Sequence, residues 1–188
     1  MARRGTPSPD AVDLMLEQWR YERPELDTAP MAVLGRLQRA HQRYQAQAGR
    51  LFTDFGLTGS SFAVLASLRR AGAPYRCTAG ELADTNLVTT GGITQQVDRL
   101  LAAGLVRRER DTTDRRVVYV TLTEEGLLLV DRLSVLHFAQ EQRMLGELST
   151  AEQAQLARLL SRLEHSLNLA GAAEPAEAVQ FAHGGGAR

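Results

Sequence analysis

Apolar residues recur along this chain with two different periods, and the change of period divides it. Over residues 10–21, Val12, Met15, Leu16 and Trp19 fall three and four apart, one stripe of a helix, with Asp10 as its N-cap. Arg23-Pro24 ends that stripe, because the residue before a proline is pushed out of the helical region. Residues 25–29 read as a linker, and Pro30 suits the first turn of a second helix. There Leu34, Leu37, His41, Tyr44, Ala48, Leu51, Phe52 and Phe55 keep the helical spacing up to Gly56. Such a helix is about 37 Å long at 1.5 Å per residue. That is more than one small domain needs, and predicts an element that spans or joins subunits. Thr58 opens a third helix with Phe62, Leu65, Ala66 and Leu68 inward and Arg69 and Arg70 at its end, where they complement the helix dipole.

After a loop at 71–75, residues 77–123 change character. A helix is predicted over 78–87 and a second from about Thr89 to Gly104. Strands follow at 105–110 and 115–122, joined by a turn at 111–114. In the second strand Val118, Val120 and Leu122 alternate with Val117, Tyr119 and Thr121, so one face is buried. Helix, turn, helix and β-ribbon in that order predict a winged helix-turn-helix. Thr123 then caps a long helix over 123–148, with Glu124 and Glu125 in its first turn and Leu127, Val130, Leu133, Leu136, His137 and Met144 at helical spacing. Ser149 and Glu152 form a capping box ahead of a last helix carrying Leu156, Leu159, Leu160, Leu163 and Leu167.

The expected fold is therefore mainly α with a small β-ribbon, a winged helix-turn-helix in an all-helical dimer scaffold. Its expected divisions are a disordered N-terminus (1–9), N-terminal dimerisation helices (10–55), a DNA-binding lobe (56–122), C-terminal dimerisation helices (123–170) and a flexible tail (171–188), with mobility setting in from about Asn168.

Composition narrows the setting. No apolar run approaches the roughly 20 residues that cross a bilayer. The basic N-terminus has no apolar segment behind it, and the lone cysteine excludes an internal disulfide framework. A cytoplasmic protein with no membrane partner is expected. Net charge is zero, but every basic residue is arginine and their placement is uneven. Arginines 99, 107, 108, 110, 115 and 116 face only Glu109, Asp111 and Asp114 in that stretch, which marks the ribbon as electropositive.

Candidate chemistry gathers in the same place. Thr89-Thr90-Gly91-Gly92 at a helix start offers small residues and free backbone N–H groups to a phosphate, or else is simply a loop that needs glycine. Thr94, Gln95, Asp98 and Arg99 lie away from Ile93, Val97, Leu100 and Leu101, as a groove-facing stripe requires. Gln addresses adenine and Arg guanine. Asp98 is expected to serve as an internal partner for an arginine. Arg115 and Arg116 flank the ribbon turn, where a guanidinium enters a narrow minor groove or remains a solvated hairpin charge, and Asp114 is placed to hold one of them. Thr78, opening the first helix of the motif, completes the expected DNA contacts: Thr78, Thr89, Thr90, Gly91, Thr94, Gln95, Arg99, Arg115 and Arg116.

The run from Asp114 to Thr123 fits D-x-R-x-x-x-V-x-L-T, and so resembles the wing of the MarR family of bacterial transcriptional regulators. Thr90-Gly91-x-x-Thr94, Asp98-Arg99-Leu100 and Gly104-Leu105-Val106 resemble that family's recognition helix and its exit. The likeness covers about residues 29–170. It implies a homodimer held by the first and last long helices, binding to a short palindromic operator, and a small ligand or oxidant acting in a cleft between dimer helices and DNA lobe. The extra N-terminal helix with Trp19 resembles the urate-responsive branch. There a tryptophan, an acid and an arginine meet the ligand; Trp19 matches the first, but the other two places hold Ala63 and Gln96, which argues against urate. Trp19 is thus either a ligand contact or packing. Trp19, His41, Tyr44, Phe62 and Gln96 form the expected effector set, with His41 and His137 meeting at the cleft or else ordinary core and surface residues. A repressor released by an effector is the expected function. A redox sensor built on Cys77 and a winged-helix interaction module that ignores DNA are the alternatives. The reactive cysteine of oxidant-sensing relatives lies near the N-terminus, unlike Cys77. The four histidines lack metal-ligand spacing, and G-x-S-x-G and phosphate-loop motifs are missing, so neither enzyme nor cofactor is expected.

Overall fold

The computed structural model describes residues 8–85, 90–114 and 116–172. Among them, helices α1 (Ala11–Glu22), α2 (Ala29–Thr53) and α3 (Gly59–Arg70) precede strand β1 (Arg76–Thr78). Helices α4 (Ala79–Thr85) and α5 (Thr90–Ala102), strands β2 (Val106–Arg110) and β3 (Val118–Leu122), and helices α6 (Glu124–Met144) and α7 (Thr150–Ala172) follow. The break between two compact units falls inside α6, after Phe138.

Each polar start signal does the work its residue type allows. The Asp10 carboxylate accepts from the backbone N–H groups of Val12 and Asp13 (2.7 and 3.0 Å), and the Asp13 carboxylate accepts in turn from the Asp10 N–H (2.8 Å). The Thr58 hydroxyl accepts from Ser61 N–H (3.1 Å), and that of Thr123 from Gly126 N–H (3.0 Å). Ser149 and Glu152 exchange bonds as a capping box. Gly56 and Gly104 adopt φ of +69° and +71°, the left-handed conformation that ends α2 and α5.

The ribbon is one strand larger than the alternation indicated. β3 is the centre of a three-stranded antiparallel sheet ordered β1-β3-β2, with Cys77 opposite Val120 and Val106 opposite Leu122. A three-residue strand is too short to show a period. Its presence corrects two expectations. Thr78 ends β1 rather than lying in a helix. Thr121, expected on an open face, is 2% exposed, because Arg76 and Arg107 sit opposite it on both neighbouring strands. Val118 departs the other way, at 39% exposure near the ribbon turn.

Leu65, Leu68, Leu82, Leu100, Val130 and Leu133 form the centre of the core, with Phe52 of α2 stacked on Phe62 of α3 (centroids 4.7 Å apart). α1 lies on the first half of α2, where a Cβ at Gly35 would stand 3.4 Å from Val12 Cγ1. The Arg36 guanidinium joins the two helices through Asp10 (2.9 Å) and Asp13 (2.7 Å).

Helix lengths also differ from expectation. α6 stops at Met144 instead of 148. The turn beyond it is held by the Gln153 amide, which donates to the carbonyls of Leu145 and Leu148. α7 runs through Ala172, so residues 168–172, read as the start of a tail, are helical. The expected disordered N-terminus and the tail beyond Ala172 lie outside the described residues, save for Ser8 and Pro9.

Candidate nucleic-acid interface

The periodicity of α5 decides which side chains face out. Ile93, Val97 and Leu100 are buried against the core, while Thr94, Gln95, Asp98 and Arg99 are exposed on one side. Asp98 is not left bare among them. It accepts a 2.8 Å bond from the Arg108 guanidinium of β2, so the helix and the ribbon are joined on the exposed side, as expected for an internal arginine partner. Without that cation, Asp98 would oppose the approach of a phosphate. Gln96 points the other way and is 7% exposed.

The ribbon is stiffened at its turn and along its outer face. The Asp111 carboxylate accepts from the N–H groups of Thr113 and Asp114 (2.8 and 2.9 Å), and these bonds hold it below the usual aspartate range. Asp114 accepts from the Arg116 backbone N–H (2.9 Å), so it fixes the chain at the ribbon turn. On the outer face, Glu109 accepts from Arg107 (2.6 Å) and from the Thr121 hydroxyl (2.8 Å), and Arg107 foremost keeps its carboxyl low. The Arg76 guanidinium lies 4.2 Å over the Tyr119 ring. Neither Arg76 nor Arg108 was singled out from the sequence as a ribbon anchor. The strand register that brings them in depends on β1 and on where β2 begins.

The expected DNA residues fare differently. Thr94, Gln95 and Arg99 share the exposed side of α5, and Arg116 is exposed at the ribbon turn. Thr78 is committed elsewhere: its N–H and hydroxyl donate to Glu81 (2.7 and 3.0 Å) and its oxygen accepts from Glu81 N–H, a capping box for α4. That T-x-x-E spacing was visible in the sequence. Thr90 and Gly91 begin α5. Thr89 and Arg115 lie outside the described residues, as do the side chains at the very start of α5.

A helix with an outward polar stripe, tied to a basic ribbon over an aliphatic core, can be compared with known proteins. The profile of the MarR family matches residues 55–117. The HTH-type transcriptional regulator PecS of Dickeya dadantii is 36% identical over 156 residues, 83% of this chain and 94% of that one. The chain belongs to the MarR family of transcriptional regulators. Solved structures of the family agree. Bordetella bronchiseptica BpsR, whose DNA binding is regulated by 6-hydroxynicotinic acid, aligns with a TM-score of 0.64 at 30% identity, over 70% of this chain and 92% of its own. A mutant of E. coli MarR complexed with operator DNA aligns with a TM-score of 0.63 at 28% identity, over 73% and 99%. The winged helix-turn-helix and the extra N-terminal helix thus stand in a MarR frame, and these relatives are regulators, not enzymes.

Within that frame the five residues expected to face an effector do not come together in one chain. Phe62 is buried between Phe52 and His137, its ring centroid 5.1 Å from the imidazole. The Gln96 amide oxygen accepts from the hydroxyls of Ser61 (2.8 Å) and Thr58 (3.2 Å), so it is bound to α3. His41 is exposed eleven residues before Phe52 on α2, about 16 Å along the helix. It therefore does not meet His137, whose ring lies 5.3 Å from that of Phe52. Tyr44 is 38% exposed on the same stretch. Trp19 is 44% exposed on α1, whose Val12 meets α2 at Gly35, about 26 Å from Phe52 along α2.

Cys77 is half-buried in β1. Burial first, then the Glu81 carboxylate, pushes its thiol up, with Arg70 working against them. A protonated thiol is a poor nucleophile, and this speaks against a cysteine-based sensor. Among the described residues no group of histidines, cysteines or acids is arranged to hold a metal, and no helix is long and apolar enough to cross a membrane.

Proposed function

We propose that this protein is a homodimeric, sequence-specific DNA-binding regulator in the cytoplasm, a repressor that a small-molecule effector releases from a palindromic operator. One observation carries the reading: Thr94, Gln95 and Arg99 stand on the exposed side of a helix whose only acid there, Asp98, is neutralised by the ribbon. Thr94, Gln95 and Arg99 then address base edges, Thr90 and Gly91 with Thr89 approach phosphates, and Arg115 and Arg116 enter the minor groove. Thr78 contributes by holding α4 in place.

The dimer is supported by apolar side chains that one chain leaves open, among them Val33 on α2, Val135 on α6 and Leu159 and Leu167 on α7. Residues 10–55 and 123–170 serve as the dimerisation helices and 56–122 as the DNA lobe. A two-fold dimer spaces its reading helices about one helical turn of DNA apart, roughly 34–36 Å. The effector reading leans on BpsR, and the pocket is assigned to the dimer, with Trp19, His41 and Tyr44 of α1 and α2, exposed in one chain, as its contacts.

The test is a mobility-shift titration with the DNA upstream of the protein's own gene against a scrambled duplex. Operator affinity on the order of 10⁻⁸ to 10⁻¹¹ M is expected, falling steeply with salt. Replacing Arg115 and Arg116 together by alanine should weaken binding and flatten the salt slope; an unchanged slope would sink the wing assignment. Equal binding to both duplexes would sink sequence-specific recognition altogether.

A further inference from the structure

The one buried polar side chain among the described residues of α5 is Gln96. We infer that Gln96, through the hydroxyls of Thr58 and Ser61, is a positioning residue for operator recognition: it fixes the rotation of α5 about its own axis. The inference rests on α5 being the reading helix.

The Gln96 amide oxygen sits in a three-oxygen cluster with the hydroxyls of Thr58 and Ser61. An amide oxygen has two lone pairs, and Gln96 Oε1 lies within hydrogen-bond reach of two hydroxyls, Ser61 Oγ at 2.8 Å and Thr58 Oγ1 at 3.2 Å, which also meet each other at 3.0 Å. The Thr58 oxygen meanwhile accepts the Ser61 backbone N–H at 3.1 Å as the N-cap of α3. Thr58 and Ser61 occupy the first turn of α3, whose positive dipole end favours an acceptor oxygen. Ser61 is 3% exposed and Gln96 7%, so water does not compete for the bond between them, while the Thr58 bond is part-buried.

Stability alone does not call for a glutamine here. Ile93, Val97 and Leu100 already bury the inner side of α5, and an apolar residue at 96 would add to them without desolvating an amide. Apolar contacts are non-directional, though, and tolerate a helix rolling in its groove. Hydrogen bonds specify direction. A helix with its side chains has a radius of about 5–6 Å, so a roll of about 20° would move the outward tips by roughly 2 Å. That exceeds the window of a few tenths of an ångström within which a hydrogen bond to a base edge keeps its length. Gln96 lies between the outward residues Gln95 and Arg99, whose reach depends on this angle. The other tie on α5, Asp98 to Arg108, joins side chains that are 57% and 50% exposed, and exposed pairs hold geometry weakly. The buried bonds therefore set the angle.

Three variants test this: Gln96→Met, Ser61→Ala and the double Ser61→Ala/Gln96→Met. For each, thermal unfolding is measured, together with the ratio of operator affinity to scrambled-duplex affinity and its salt slope, at a temperature where every variant is folded. Each single change removes the buried bond between Ser61 and Gln96, leaves the remaining group only Thr58 as a partner, and should lower the melting temperature. The double change removes the polar partners together and should recover most of that loss. The affinity ratio should behave differently. It should fall on the order of tenfold in Gln96→Met and stay low in the double variant, because the lost hydrogen bonding no longer holds the angle. Scrambled-duplex affinity and salt slope should stay at the wild-type values. A double variant with wild-type stability and a wild-type ratio would overturn the inference and leave Gln96 as packing. A wild-type protein that does not prefer its operator would instead overturn the reading of α5, and that outcome is seen before any variant is made.

Discussion

Leucines of the DNA lobe and leucines of α7 follow the same periodicity in the sequence and meet opposite fates. Leu65, Leu68 and Leu100 are at 0–1% exposure. Leu159 and Leu167 are at 50% and 49%. In the lobe, helices approach one another and a sheet from several directions, so a stripe facing inward finds partners within one chain. A single long helix has one apolar stripe and no such enclosure. Spacing identifies the stripe in both regions; it does not say whether the surface that covers the stripe belongs to the same chain. The α7 stripe is the kind of surface a second copy covers, and the two regions should respond differently to the same substitution.

The largest effect is expected at the centre of the lobe. Leu65→Ala should cost about 2–5 kcal/mol of unfolding free energy, read from urea titrations, because a fully enclosed leucine leaves a cavity. A change that lowers the midpoint no more than a surface substitution would show that the lobe is not the cooperative core. The next effect tests a contact made by backbone. Gly126 sits where the start of α6 meets the residue before β2, and a Cβ there would stand 2.0 Å from the Leu105 carbonyl oxygen, which already accepts Thr123 N–H at 3.1 Å. Neither atom is a flexible side-chain end. Gly126→Ala should therefore destabilise by about 1–3 kcal/mol, as overpacking does, with Gly126→Ser no better. Wild-type stability in either would mean the α6 start can move away from the lobe.

That glycine illustrates what could and could not be read ahead of the fold. Local signals were legible: Asp10, Thr58, Thr123 and the Ser149–Glu152 pair cap the helices they precede, because a cap acts over three residues. The MarR likeness was legible in residues 114–123 and 90–106, again a local pattern. Long-range partners were not. β1 is three residues long, and its pairing with β3 spans more than forty positions. Gln96 and Ser61 lie 35 residues apart, so nothing near Gln96 marked it as bonded rather than ligand-facing. His41 shares the α2 stripe with Phe52, whereas His137 of α6 lies beside Phe52; eleven residues of α2 separate the two histidines. Asp98 was the exception, since an acid beside arginines on an outward stripe asks for a cation, and Arg108 supplies it.

On α7 the expected effect is on association, not on folding of the chain. Leu159→Ala with Leu160→Ala should raise the dimer dissociation constant by roughly tenfold or more while leaving lobe unfolding unchanged at high dilution, since about 1–3 kcal/mol of apolar burial per leucine would be lost only where a partner covers it. Sedimentation equilibrium over a concentration series reads this directly. If Leu65→Ala and the α7 pair shift the same unfolding transition equally, with no change in association, the stripe is covered within the chain and the contrast between the two regions fails.

The smallest effect is expected at α1, held to α2 by Val12 and by the Arg36 clamp on Asp10 and Asp13. The Asp13 N–H chiefly lowers the Asp10 carboxyl, and the Asp10 N–H that of Asp13; in both, Arg36 adds to the shift. Groups whose folded pKa is depressed stabilise above the unfolded value and lose that contribution as pH falls through the folded one. Docking of α1 should thus be intact at neutral pH and loosen only below the ordinary aspartate value. Trp19, the single tryptophan, lies on α1 and reports the change by its emission. Arg36→Ala should move the midpoint of that acid transition upward, but only part of the way, because the backbone bonds persist without the guanidinium. The clamp is solvent-exposed, so added salt should shift the wild-type midpoint in the same direction. An identical midpoint in the variant would show that capping alone holds the first turn of α1 and that Arg36 contributes nothing to its docking.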